Sequence, residues 1–218
     1  LASETGLSEK LSSCNTVFLS ATPMEIGQMS SLRTPQGVIG VFRKSDNHLS
    51  GKAGLNSAGS QDGLILALDG IQDPGNLGTI LRIADWFGID TVFAAPDTVD
   101  VFNPKVIQAT MGAVFRVRMH YVDLPSLSNE ILSCGGKVYG TFLDGQNIYT
   151  RALDTGKSGP VMIVIGNESE GISASMERMV SDRLYIPPYP ADDPGSESLN
   201  AAIATAITVA EFRRRISQ

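Results

Sequence analysis

Three short loops, each following an apolar run, hold the residues whose types and spacing suit chemistry. The first reads Asp69-Gly70-Ile71-Gln72-Asp73-Pro74-Gly75-Asn76 and runs into a helical pattern that carries Arg82. Pro74 and Gly75 make a tight turn, Asn76 fits an N-cap, and the open N–H groups of a helix start favour anions such as phosphate. A guanidinium at Arg82, about a turn and a half further on, either clamps such an anion or pairs with a carboxylate, Asp69 or Asp85. The second loop, Gly166-Asn167-Glu168-Ser169-Glu170-Gly171, has glycines at both ends. They allow close backbone approach or positive φ, while its acids accept hydrogen bonds from hydroxyls or amines. The third begins at Ile186-Pro187-Pro188-Tyr189-Pro190 and ends at Ser196-Glu197-Ser198-Leu199-Asn200, ahead of Ala201, Ala202, Ala204 and Ala206. Ser198 and Asn200 suit helix capping there. Taken singly, each loop also fits an ordinary capped turn. Neither GxGxxG nor GxxxxGK[ST] occurs, so dinucleotide and nucleoside triphosphate binding lose their usual warrant.

The elements that must position these loops form a βα rhythm. Leu64–Leu68 is a continuous apolar run of the buried, parallel-sheet kind. Leu77, Ile80, Leu81, Ala84 and Phe87 then repeat at helical spacing, with Gly88 where a helix stops. Strands are predicted at Thr91–Ala95, Val114–Val122, Lys137–Leu143, Val161–Ile165 and Arg183–Ile186. Helices are predicted at Pro104–Met111, Leu124–Cys134, Ser173–Val180 and Glu197–Arg215. This alternation predicts an α/β fold with a mostly parallel sheet flanked by helices, whose ligands gather beyond the carboxyl ends of the strands. The loops after Leu68, Phe142, Ile165 and Ile186 lie there. Before this region, Thr16–Ser20 and Val38–Phe42 read as short strands, with Pro at a helix start in Pro23–Leu32. Ser45–Asp62 turns to Gly, Ser, Asn and Lys without apolar period, as a linker does. The expected division is 1–47, a linker at 48–62, and 63–218.

The 218 residues are 42% hydrophobic and 18% charged, enough for a globular core. The net charge of −6 speaks against coating nucleic acid by electrostatics alone. Local patches remain open: Arg33, Arg43 and Lys44 in one stretch, Arg116 and Arg118 in another. No apolar run approaches the roughly 18 residues that span a bilayer, and Leu1–Lys10 lacks the basic start and apolar stretch of a secretion signal. A cytoplasmic protein without membrane contact is expected, and the opening on Leu1 suggests that sequence precedes it. Cys14 and Cys134, far apart and without clustered His, fit two idle thiols and no metal site.

Together the loops resemble the three ordered motifs of the SpoU, or TrmH-like, branch of the SPOUT methyltransferases. LDGIQDPGNLGTILRIADWFG (68–88) matches the first, VIGNESEGIS (164–173) the second, and IPPYP followed by ESLNAAIATAI, ending at Ile207, the third. Asn103-Pro104 and Gln108-Ala109-Thr110-Met111-Gly112-Ala113 resemble a looser family segment. Leu19-Ser20 and Thr34-Pro35-Gln36-Gly37-Val38 resemble the end of a small α/β RNA-binding domain that precedes the catalytic domain in many members. The resemblance implies a C-terminal deep trefoil knot, an exception to unknotted chains. It also implies RNA 2′-O-ribose methylation with S-adenosyl-L-methionine, and a homodimer. Carried over by position, Thr141, Gly166, Ile186 and Leu199 hold the cofactor, and Asn76, Arg82, Glu168, Ser198 and Asn200 form the catalytic cluster. Two departures stand out: Pro188–Ser196 is longer than the family's usual loop, and Gln108 stands where a basic residue is frequent.

A sulfonium methyl is already activated, so the enzyme has to align a nucleophile and ease loss of its proton, without a metal. Guanidinium stays protonated at accessible pH. Arg82 is therefore expected to clamp the phosphate beside the target ribose, while Asn76 and Asn200 orient Arg82 or the ribose and Glu168 braces the loops instead of touching substrate. An N-terminal RNA-binding domain favours ribosomal over transfer RNA by analogy. The alternatives are a non-catalytic RNA-binding or ribosome-assembly protein of this fold and a base-nitrogen RNA methyltransferase.

Overall fold

The most apolar runs of the chain become the centre of a six-stranded, all-parallel sheet. In this computed structural model the described residues are 17–30, 32, 34–44, 63–156, 159–190 and 198–216. They belong to two compact units, Leu1–Arg43 and Lys44–Gln218. In the second unit the strands are β1 (Leu64–Asp69), β2 (Thr91–Ala94), β3 (Arg118–Tyr121), β4 (Lys137–Asn147), β5 (Val161–Gly166) and β6 (Asp182–Tyr185), in the order β3-β2-β1-β5-β4-β6. Both faces are covered. Leu64, Leu66 and Leu68 pack with Ile80, Leu81 and Phe212 on one side, and Ile65 and Ala67 with Phe93, Ile131 and Met176 on the other. That alternation is the period of a strand, and burial on both faces is why β1 reads as an unbroken apolar run.

The first unit holds helix α1 (Pro23–Met29), closed at its start by a capping box between Thr22 and Glu25. Residues 17–20 and 38–42, predicted as strands, form none; Val17, Leu19 and Val41 are exposed. A β-prone run becomes a strand only where a partner accepts its ladder. Thr16, Arg33 and the linker at 48–62 lie outside the described residues.

The helices of the second unit are α2 (Pro74–Trp86), α3 (Pro104–Ala109), α4 (Leu124–Ser133), α5 (Ala174–Glu177) and α6 (Ala201–Ile216). The predicted strand Val114–Val122 begins only at Arg118, because Ala113–Phe115 is a turn of 3₁₀-helix that follows the left-handed Gly112. The N-cap of α2 is Asp73, not Asn76: the Asp73 carboxylate accepts the Asn76 N–H at 2.7 Å. Pro74 supplies the first helical φ, which moves the cap one residue ahead of it. Asn76, one turn in, keeps its side chain for other partners.

The last helix is anchored by its end. Arg215 donates to the carbonyls of Arg151 (2.6 Å), Ile148 (2.8 Å) and Tyr149 (3.0 Å), on the stretch between β4 and β5. Its Nε also donates to Glu211, which Arg214 grips from the other side. Glu211 is 6% exposed. Arg214 first, then Arg215, hold its carboxyl at about 2 against the burial that pushes it up from 4.5. A depressed folded pKa gives stability that is present above pH 4.5 and lost as pH falls toward 2. Thermal denaturation at stepped pH is expected to show this loss in the wild type, and Glu211→Gln to be less stable at neutral pH with a shallower decline across that window.

Candidate active site

Register brings the loops to one edge. Asp69 ends β1 level with Gly166 at the end of β5, and Gly140 lies level with Val164. Thr141 therefore stands beside Ile165 and also pairs with Leu184, two residues short of Ile186. Four adjacent strands thus deliver Asp69, Gly166, Thr141 and Ile186 to the carboxyl edge, as expected of a ligand site in a parallel sheet. The β4–β6 ladder is interrupted between Thr141 and Gln146, so residues 142–145 leave the register. Arg183 holds this segment, pairing with Asp144 and Glu177 while its guanidinium lies 3.6 Å over the Phe142 ring.

The first two loops are zipped together. Asn167 Nδ2 donates to the Gly70 carbonyl at 2.7 Å, and Ser173 N–H to the Asp69 carboxylate at 2.7 Å. The Glu168 carboxylate accepts from Asn76 Nδ2 at 2.8 Å and from the backbone N–H groups of Gln72 (3.2 Å) and Asp73 (3.3 Å). The third motif joins through Asn200, whose Nδ2 donates to Asn76 Oδ1 at 2.7 Å. Asn200 Oδ1 meanwhile accepts from the N–H groups of Ala202 and Ile203, capping α6. Asn76 is thus oriented from both ends of its amide by residues far away in sequence.

Burial pushes the Glu168 carboxyl up, but the donors at Asn76, Gln72 and Asp73 outweigh it and hold the group below 4.5. A carboxylate held in the ionised form by three converging donors is a brace, and a poor proton carrier near neutral pH. The stability it gives is present above pH 4.5 and lost below it. Glu168→Gln turns one acceptor oxygen into a donor facing backbone N–H groups. Because Glu168 is solvent-exposed, the change is expected to cost about 1 kcal/mol of stability, read by chemical denaturation, with activity falling as a consequence of loosened loops.

Arg82 lies on the exposed side of α2. Both carboxylates that sequence reasoning offered it are engaged elsewhere: Asp69 accepts from Ser173, and Asp85 takes a bidentate pair from Arg116. Among the described residues no side chain pairs with Arg82. Arg116 holds the Asp85 carboxyl below its ordinary value, and Arg118 lies 3.1 Å from Asp90. Arg116 and Arg118, whose role as a local patch the sequence left open, are therefore both engaged in ion pairs, whereas Arg82, on the same helix as Asn76, has no side-chain partner among the described residues.

The profile of the SpoU rRNA Methylase family matches residues 63–210. The chain belongs to this family. It is 37% identical over 149 residues to the 23S rRNA (guanosine(2553)-2′-O)-methyltransferase RlmP of Bacillus subtilis, covering 68% of this chain and 57% of that protein. An rRNA methyltransferase from Sinorhizobium meliloti superposes with a TM-score of 0.80 at 30% identity, over 97% of this chain and 77% of that one. An AdoMet-bound rRNA methyltransferase structure from the same organism superposes with a TM-score of 0.65 at 34% identity, over 75% and 61%. The chain spans a little over half the length of the first curated relatives it matches.

Within this SpoU chain, the expected catalytic residues Asn76, Glu168 and Asn200 come together, with Arg82 on the same helix as Asn76. Ser198 and Leu199 lie just before α6, both exposed. Of the residues expected to hold a cofactor, Thr141, Gly166 and Ile186 share the carboxyl edge, half-buried. Gln72, Asp73, Asn167 and Arg183 were given no role of their own from the sequence, and Asp69 only that of a partner for Arg82, yet they fasten the loops. An Asn directly after a strand-ending glycine is the one local signal, since Asn167 Oδ1 also accepts the N–H groups of Ser169 and Glu170. Among the described residues no cluster of His, Cys, Asp and Glu fits a metal, and no helix is long and apolar enough to cross a membrane.

Proposed function

We propose that this chain methylates a ribose 2′-hydroxyl of RNA, ribosomal RNA before transfer RNA, using S-adenosyl-L-methionine. The observation that carries the reading is Arg82, exposed and without a side-chain partner among the described residues, on the helix whose Asn76 is held between Glu168 and Asn200. The kinship to a 23S rRNA guanosine 2′-O-methyltransferase supports it. The AdoMet-bound relative supports the cofactor. The break in the β4–β6 ladder at 142–145, on the carboxyl edge, supports the fit: backbone groups freed from the ladder there would meet an adenine or ribose, with Thr141, Gly166, Ile186 and Leu199 as the residues that would hold it.

When bound, this cofactor supplies a methyl already activated on a sulfonium. Arg82 holds the phosphate next to the target ribose with two parallel N–H donors, which fixes the 2′-hydroxyl in line and lets a phosphate oxygen or water take its proton. Asn76, fixed at both amide ends, presents a rigid wall beside that hydroxyl, and Asn200 and Ser198 border it from the third motif. Glu168 braces. The threading of a trefoil knot is proposed from the return of α6 from the β6 edge to pack on α2 and β5 while Arg215 grips 148–151. We further propose a cytoplasmic homodimer, with residues 1–47 ending an RNA-binding domain, 48–62 a linker and 63–218 the methyltransferase domain.

The test is transfer of labelled methyl from S-adenosylmethionine to total RNA of a strain lacking the protein, followed by alkaline hydrolysis. A 2′-O-methyl blocks cleavage at its own linkage. Label that leaves cleavage intact means a methylated base, and absence of both transfer and cofactor binding means a non-catalytic RNA-binding protein.

A further inference from the structure

One side chain on the Arg82 face has no place in the chemistry above. Trp86, the chain's single tryptophan, is 85% exposed at the end of α2. It follows Arg82 by four residues, so the two share one face of the helix, about 6 Å apart along its axis. Contacts with segments of the same chain fix which face this is. At Gly78 the helix meets α3 closely enough that an added Cβ would lie 2.9 Å from the Val106 carbonyl oxygen, and at Asp85 it meets Arg116. Arg82 lies between these contacts and Trp86 just past them. The Asp85–Arg116 pair leaves no net charge on that stretch, so the open guanidinium sets its sign.

An exposed indole beside an exposed guanidinium that has no side-chain partner among the described residues suits an unpaired base next to a phosphate. The spacing of about 6 Å matches roughly two stacked bases, and aromatic side chains hold single-stranded bases through their faces whatever the sequence. We propose that Trp86 stacks on a base flanking the nucleotide whose phosphate Arg82 clamps, so that α2 is both part of the catalytic wall and a platform for single-stranded RNA. This rests on the RNA methyltransferase reading, and it adds that the target lies in a loop or single strand, since duplex bases are already stacked.

The single tryptophan makes the test direct. Titration of the 218-residue chain with single-stranded oligo(A), without cofactor, is expected to quench the indole emission to saturation, whereas a perfect RNA duplex of equal length does not. Trp86→Ala is expected to weaken single-strand binding about tenfold by anisotropy of labelled RNA, and Trp86→Phe to restore most of it. Absent quenching, equal quenching by duplex, or unchanged affinity of Trp86→Ala would each overturn the proposal. So would a blue shift that grows with protein concentration in the absence of RNA, which would assign Trp86 to an interface between copies. Because quenching is read without cofactor, a wild type that stacks RNA but transfers no methyl would sink the enzymatic reading alone.

Discussion

An Arg82→Ala variant is expected to lose methyl transfer by about 10²- to 10³-fold, the usual consequence of removing one preorganised donor at a reacting centre. Its binding of S-adenosylmethionine is expected to be unchanged. The separation follows from where the residue sits. Arg82 is on α2, exposed and without a side-chain partner among the described residues, whereas the proposed cofactor residues lie elsewhere: Thr141 within β4, Gly166 at the end of β5, Ile186 just past β6 and Leu199 just before α6. Its removal therefore breaks nothing in the fold and uncovers no buried carboxylate, since Asp69 and Asp85 are already satisfied. Arg82→Lys should recover little, because an ammonium cannot reproduce two parallel donors to a phosphate. Single-turnover transfer to RNA, with calorimetric titration of the cofactor, checks both halves. Near-normal transfer by the alanine variant would remove the clamp from the mechanism.

Gly166→Ala is expected to fail in the opposite way, losing stability and cofactor binding together. Gly171 turns with φ +74, and Asn167 and Gly171 exchange backbone hydrogen bonds at 2.8 and 3.0 Å. This folds the loop back onto its own beginning, where a Cβ on Gly166 would overlap the backbone of Gly171 and Ile172. The glycine at this strand end is needed for that self-contact before any ligand arrives. Overlap with backbone cannot be relieved by a rotamer change, so the loop must shift and draw Glu168 away from Asn76, Gln72 and Asp73. A cost of about 3 kcal/mol or more is expected, comparable to overpacking a core. Thermal denaturation and calorimetry with S-adenosylmethionine measure the two effects. Gly171→Ala, which meets nothing within 4 Å but needs the left-handed conformation, should cost only about 1 kcal/mol.

Much of the frame is legible in single segments. LILAL and VMIVI declare buried parallel strands because both their faces are apolar, and Leu77 to Phe87 keep helical period, with Gly88 at φ +67 ending the helix. Where local signals compete, boundaries slip. Pro74 draws the cap of α2 to Asp73, and Gly112 turns Ala113–Phe115 into 3₁₀-helix before β3. The runs at 17–20 and 38–42 have strand composition but no ladder.

The chain by itself determined the three loops, their order, and the residue types that chemistry would use, because strand, cap and turn preferences act over a few neighbours. Partnership was decided only by the tertiary structure. Asn76, Glu168 and Asn200 lie 92 and 124 residues apart, counted from Asn76, and meet only through strand register. Arg82 had two plausible carboxylates nearby in sequence, and packing assigned one to a backbone N–H and the other to Arg116. A hydrogen bond or ion pair depends on distance in space, which the order of residues does not contain. With Asp69 and Asp85 satisfied by others, Arg82 has no side-chain partner among the described residues, which is the observation behind its proposed role as a phosphate clamp.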